Sequence, residues 1–379
     1  MTKKKYQIMT IAAMGILLYG LSIASVLTPE KKYSDNENRA LATMPVFSLE
    51  NFVKGKFGSD YETYITDQFI GRDTWITTTS YLDLALGRRE INGVYFCSDD
   101  YLVETHKNSE IDMEQAVVNA ERLAEFLSQY EVTLGEDRVK AMLVPTAGTI
   151  LSDKLPPFAG TFDQAEYLRN FEEIAGTSAM NLIQALSEKK GEYLYYRTDH
   201  HWTALGAYYA YEQWAKEMGF TSWKLEDFQE EVVSDDFLGT LYSKVNVVTK
   251  PDEITLYYPT AETTYSVEYD LQTKSDTLYA MSHLDTKDKY AVYLDGNHGI
   301  VKIGTENKNG RKLLLIKDSY AHCFAPFAIN HYEETLMIDF RYYRGNISEL
   351  IEAEGITDIL VLYNIPNFVA DKNTGSFLK

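Results

Sequence analysis

Residues 312–324 read KLLLIKDSYAHCF, and this stretch sets the fold class. Leu313 to Ile316 form a short unbroken apolar run, the pattern of a strand buried on both faces. A helical pattern is expected from Tyr320. The rhythm then repeats, with a strand in ETLMIDF, a helix in NISELIEAEG and a strand in ITDILVLYN. Short apolar strands alternating with helices imply a mostly parallel sheet covered on both faces. Upstream the same alternation holds: a helix over MEQAVVNAERLAEFLSQYE, a strand VKAMLVP, a helix from Ala165 to Lys190 with a break near Gly176, a strand EYLYY and a helix to Gly219. Between about 225 and 303 the pattern turns β-rich, which reads as an inserted antiparallel segment.

The 379 residues carry 36 basic and 56 acidic side chains, a formal net charge of −20. That excludes general nucleic-acid binding, which needs a basic footprint. The N-terminus has Lys3, Lys4 and Lys5, then an uncharged run from Ile8 to Leu27. Twenty residues at helical rise span about 30 Å, the hydrocarbon thickness of a bilayer. Lysines before the run place residues 1–7 in the cytoplasm and the bulk of the chain outside. The competing reading is a signal peptide cleaved near Ser22-Ile23-Ala24, giving a secreted protein. Residues 28–50 read as a linker, and 51–379 as one domain carrying the insertion. Cys97 and Cys323 are the only cysteines. They make no disulfide framework, and free thiols are expected. No cofactor or metal is implied, since zinc-type Cys/His spacing is missing.

In open α/β sheets, sites form at the carboxyl ends of strands. Ser319 follows one such strand at the turn into a helix, beside backbone N–H groups suited to an oxyanion. The alternative is that Asp318 or Ser319 only caps the helix. At the end of EYLYY stands RTDHHWTALG, residues 197–206. In an extended chain Asp199 and His201 share a side, while His200 and Trp202 face away. The adjacent histidines would then diverge and make a poor metal pair. Asp199 and His201 make a good acid–imidazole pair, and Thr203 can cap the following helix. Arg341, Asn364 and Thr146 end or follow other strands and are candidates to orient an acyl group or line a pocket. For Arg341, a structural salt bridge to Asp339 is the competing role.

TDHHWTALGAYYAYE, LLLIKDSYAHCFAPF and MIDFRYY together resemble the bacterial DHHW proteins, relatives of the alginate O-acetyltransferases within the SGNH-hydrolase-like superfamily. SDNENRALATMP, INGVY, DGN and FLGTLYSK also look like the family. The resemblance implies a three-layer α/β/α core with permuted motif order, Asp and His preceding Ser. It makes Ser319 the nucleophile, His201 the base and Asp199 the acid that orients it. Lys317 stands where ordinary SGNH hydrolases have a glycine, no clear Asn block is present, and the tyrosine that alginate acetylation proteins carry soon after the nucleophile has no confident equivalent. The function implied is acyl transfer, in relatives acetyl transfer, from a membrane-bound O-acyltransferase partner to an extracellular polysaccharide. An esterase on the same triad and a non-catalytic glycan-binding or scaffold protein are the alternatives.

Overall fold

The computed structural model describes residues 3–34, 39–247 and 249–379. Asp35 to Asn38, which include the first two residues of the ENR stretch, lie outside the described residues. The chain divides into two compact units, one formed by residues up to Arg88 with 243–248, the other by 89–242 with 249–379.

The first unit begins with helix α1 (Lys3–Leu27), long and apolar enough to cross a membrane. Two further helices, α2 (Lys56–Asp67) and α3 (Arg72–Ala85), follow a short one at Leu49–Val53. Residues 28–50, expected as linker, make specific contacts with the end of α2. The buried Asp67 carboxylate accepts a forked pair of bonds from Arg39 at 2.9 and 2.5 Å, and the Ala42 N–H at 2.8 Å. The Arg39 bond holds the Asp67 carboxyl below its ordinary pKa.

The second unit is built on an eight-stranded sheet. Its strands are β1 (Val139–Val144), β2 (Ala179–Met180), β3 (Ser266–Tyr269), β4 (Thr273–Ser275), β5 (Ile300–Gly304), β6 (Lys312–Lys317), β7 (Glu334–Ile338) and β8 (Asp358–Asn364). Their spatial order is β4-β3-β5-β7-β6-β8-β1-β2. The five strands from β7 to β2 are parallel, and β4, β3 and β5 add antiparallel pairings at one edge.

Alternation along each parallel strand fills two cores. Leu313, Leu315, Met337, Leu360 and Leu362 pack on one face against helices α6 (Ala204–Glu217) and α7 (Ala321–Ala328). Leu314, Ile316, Leu336, Ile338 and Val361 pack on the other against α4 (Met113–Leu134), α5 (Gln164–Ala175) and α8 (Ile347–Glu354). The result is the three-layer α/β/α arrangement expected from the sequence.

The β-rich stretch is not one inserted sheet. Phe228–Phe237 and Asp252–Pro259 form a separate antiparallel pair, whereas β3, β4 and β5 extend the central sheet. YAVYLDG, inside the stretch expected to be β-rich, instead runs through a 3-10 turn at Lys289–Val292 and two left-handed residues, Leu294 and Asp295. Its buried Tyr290 and Tyr293 pack inward among the aromatic rings of the core. EYLYY is no sheet strand either. It folds back on itself, with Thr203 N–H bonded to the Leu194 carbonyl and an isolated bridge between Tyr195 and Trp202.

This fold-back brings the start of α6 against the Leu194 backbone. A Cβ on Gly206 would stand 2.4 Å from the Leu194 carbonyl oxygen, so only glycine fits. We expect Gly206→Ala to destabilise the protein by about 1–3 kcal/mol through overpacking. Gly191→Ala, with nothing within 4 Å of the added carbon, is expected to leave the denaturation midpoint unchanged. Equal midpoints for the two variants would contradict this packing.

Candidate active site

The carboxyl end of β6 and the bend at 197–203 meet at one point. β6 ends at Lys317, and the chain turns through Asp318, Ser319 and Tyr320 into α7. Asp318 braces the turn without capping the helix, whose N-cap Tyr320 has no side-chain cap: its buried carboxylate accepts N–H bonds from Tyr320 at 2.9 Å and Asn364 at 3.0 Å, and the Asn367 side chain at 2.8 Å. Ser319 is thereby left for another partner. Its Oγ lies 2.7 Å from Nε2 of His201, and Nδ1 of the same ring lies 2.6 Å from Oδ1 of Asp199.

The bend, rather than an extended chain, pairs Asp199 with His201. Asp199 Oδ1 also accepts the His201 backbone N–H at 3.0 Å, the Asx-turn geometry of a short carboxylate bonding two residues on. Its other oxygen accepts both the backbone N–H and the hydroxyl of Thr240, at 2.8 and 2.9 Å. Four donors thus surround the carboxylate. These bonds and the neighbouring imidazoles overcome its desolvation and hold its pKa far below the ordinary carboxylate range. Because an ionised carboxylate only accepts, Nδ1 of His201 carries the proton, and Nε2 is the acceptor for the Ser319 hydroxyl. Burial above all pushes the His201 pKa down to about 4, so the ring is neutral near pH 7 and able to take a proton.

His200 does not diverge from His201, as an extended chain would require. The bend sets the two rings 3.9 Å apart, with His200 Nδ1 2.7 Å from Thr240 Oγ1. The ligating atoms of Asp199, His200 and His201 lie within 4.8 Å of one another, near enough to share a cation. Both nitrogens of His201 and Nδ1 of His200 are engaged in hydrogen bonds. Trp202 is buried as part of the core and donates its indole N–H to the Tyr320 carbonyl at 2.8 Å. Thr203 caps α6, accepting the Gly206 N–H.

Of the other expected site residues, Thr146 and Asn364 line a small cleft together with Asp199, His200 and Tyr320. Thr146 is held by Gln164 through its N–H and its hydroxyl. Asn364 accepts the Asn367 N–H at 2.8 Å. Arg341 makes the salt bridge to Asp339, with a fork of bonds at 2.9 and 2.6 Å, and also bonds Asn297. Beneath the serine, buried Lys317 donates to His322 Nε2 at 2.7 Å and approaches Asp339 at 3.5 Å. Burial pushes its pKa down to about 8.

Two features escaped the sequence. Tyr290 stacks on the His201 ring at 3.8 Å and 11°, and its hydroxyl donates to the Ser319 carbonyl. Gly239 lets its loop reach Asp199: a Cβ there would stand 2.3 Å from the Asp199 Cβ. Gly239 lies in the family-like stretch FLGTLYSK, but neither residue showed its contact in the sequence, because both act through tertiary packing. Cys97 and Cys323 are free, and Cys323 lies against the Tyr290 hydroxyl.

The cluster sits at the carboxyl end of the parallel sheet, with Asp199 and His201 ahead of Ser319 in the chain. The model of the DHHW protein family matches residues 129–338, more than half of the sequence, and the chain belongs to that family. Among solved structures, a DHHW family protein from Eubacterium siraeum is similar at a TM-score of 0.64 and 26% identity, covering 76% of this chain and 96% of its own. Bacillus cereus PatB1, solved with a sulfonyl adduct, shares the fold at a TM-score of 0.59 and 20% identity, over 74% of this chain and 96% of its own. No curated protein sequence matches.

The lowered His201 pKa fixes a pH dependence. The rate at which a sulfonyl fluoride labels Ser319 should stay level from neutral pH down to about 5, and fall only as pH approaches about 4. A limb near an ordinary imidazole pKa of about 6.5 would contradict this environment. Gly239→Ala, by displacing Asp199, is expected to slow the same labelling by about 10²-fold. An unchanged labelling rate would show that Asp199 is not needed where it stands.

Proposed function

We propose that this chain is a serine-dependent O-acyltransferase, with acetyl as the favoured group, acting outside the cytoplasm on a cell-envelope or secreted polysaccharide. The observation that carries the reading is the continuous hydrogen-bond chain from Ser319 through His201 to Asp199, at 2.7 and 2.6 Å. Membership of the DHHW family supports it. In the first step His201 Nε2 takes the Ser319 proton while Oγ attacks the acyl carbonyl. His201 then returns that proton to the leaving group, which departs, leaving acyl-Ser319 and a neutral imidazole. In the second step a sugar hydroxyl attacks, giving its proton to His201. The C–Oγ bond breaks and Oγ recovers that proton. The Ser319 backbone N–H, with Asn364 and Thr146 along the cleft, are the candidate donors to the oxyanion.

In this reading residues 8–27 anchor the chain with residues 1–7 in the cytoplasm, 28–50 link, and 51–379 carry the activity. Signal cleavage and secretion is the alternative. A membrane-bound O-acyltransferase is the proposed source of the acyl group. The length and apolar character of α1 support an anchor. A carbohydrate esterase on the same residues is the second reading, favoured if water outcompetes sugar.

The test uses the full chain in detergent with a small activated acetyl ester and added oligosaccharide. We expect ester turnover with acetyl transferred to sugar, and loss of turnover by at least about 10³-fold in Ser319→Ala. Turnover to free acetate only would select the esterase. Turnover unaffected by Ser319→Ala would overturn the proposal.

A further inference from the structure

The second histidine of the bend has a role that the proton relay leaves open. Thr240 has one hydroxyl proton, and it goes to the Asp199 carboxylate, 2.9 Å away. His200 Nδ1, 2.7 Å from the same oxygen, must therefore be the donor to it. In the uncharged ring that fixes the tautomer: Nδ1 carries the proton and Nε2 keeps a lone pair. His200 Nε2 has no hydrogen-bond partner among the described residues, and His200 is partly exposed and lines the cleft with Asp199, Tyr320 and Asn364. The backbone cannot swing away, since the buried Tyr320 hydroxyl donates to the His200 carbonyl. His200 and His201 thus present two acceptor nitrogens on rings 3.9 Å apart, one bonded to Ser319 and one without a partner among the described residues.

We propose that His200 is the acceptor-specificity residue of this site, and that it selects acceptors bearing a vicinal pair of hydroxyls. The attacking hydroxyl gives its proton to His201 Nε2. The hydroxyl on the neighbouring carbon donates a hydrogen bond to His200 Nε2 and keeps its proton. Water and monohydric alcohols offer no second group at that spacing. The pairing of imidazoles therefore favours a sugar over hydrolysis at the deacylation step. The inference rests on the reading of Ser319 as the acylated nucleophile.

The experiment compares acceptors and variants on the full chain, with a small activated acetyl ester as donor. Acceptors are methyl glucoside, with vicinal hydroxyls, and ethanol, with one. His200→Asn keeps a donor for Thr240 near the place of Nδ1 but removes Nε2. His200→Gln restores an acceptor near the place of Nε2. Release of the leaving group reports acylation; the ratio of transfer to hydrolysis reports acceptor choice. We expect the transfer-to-hydrolysis ratio of His200→Asn with the glucoside, which is set after acylation and is read per acyl group formed, to fall about three- to tenfold, the worth of one hydrogen bond. The ratio with ethanol should be unchanged, and His200→Gln should recover part of the loss. An unchanged glucoside ratio in His200→Asn, or an equal fall for both acceptors, would overturn the inference alone. Lack of acylation at Ser319 in the wild type would overturn the proposed function with it. If His200→Asn acylates poorly, the comparison moves to His200→Gln, where a glucoside preference no better than in His200→Asn would also contradict the role.

Discussion

A buried carboxylate organises this molecule's chemistry. Asp199 is 4% exposed and ionised, a state that is costly unless every lone pair is met. Four donors meet it, two from His201 and two from Thr240. Those donors tie together two segments about 40 residues apart in sequence, the bend at 197–203 and the loop at 238–240. The same bonds settle both histidine tautomers, since each ring must give its Nδ1 proton toward the carboxylate, directly or through Thr240. Removing one donor leaves a buried charge undersatisfied, so the cluster holds its geometry as a unit.

The sheet supplies the other half. β6 lies between β7 and β8 in the parallel part, so Ser319 emerges at a carboxyl end flanked by those of both neighbours. Asp318 braces that turn against β8 through the Asn364 N–H and against the short helix that follows through Asn367. Tyr290 closes the site from the segment between β4 and β5, stacking on His201 while bonding the Ser319 carbonyl. A residue in a 3-10 turn therefore touches both partners of the hydroxyl–imidazole bond, which is why that segment matters to the site.

The parallel strands and covering helices were legible because buried strands read as continuous apolar runs and their helices carry the 3.6 period. Ser319 was legible as the residue after such a strand, and Asp199 with His201 as an acid and a base two residues apart. The reason given for that pairing, an extended chain, does not hold: Asx-turn bonding in a bend makes the pair, and it turns His200 toward His201 rather than away. EYLYY and YAVYLDG look like strands because β-branched and aromatic residues mark any half-buried segment, not only paired ones. The stretch holding Gly239 and Thr240 was legible as family-like, but their contacts with Asp199, and those of Tyr290 with His201, were not, because they lie in what the fold places beside them. For Arg341, the salt bridge to Asp339 is the role the structure shows.

The central claim is that Ser319, through His201, is the activated nucleophile. The most direct measurement is a peptide map by mass spectrometry after the full chain reacts with a sulfonyl fluoride, in wild type and in His201→Ala. The account predicts one added sulfonyl group on the peptide containing Ser319 in the wild type, and none at comparable time in the variant. Labelling at another residue, or equal labelling of Ser319 in both proteins, would contradict it.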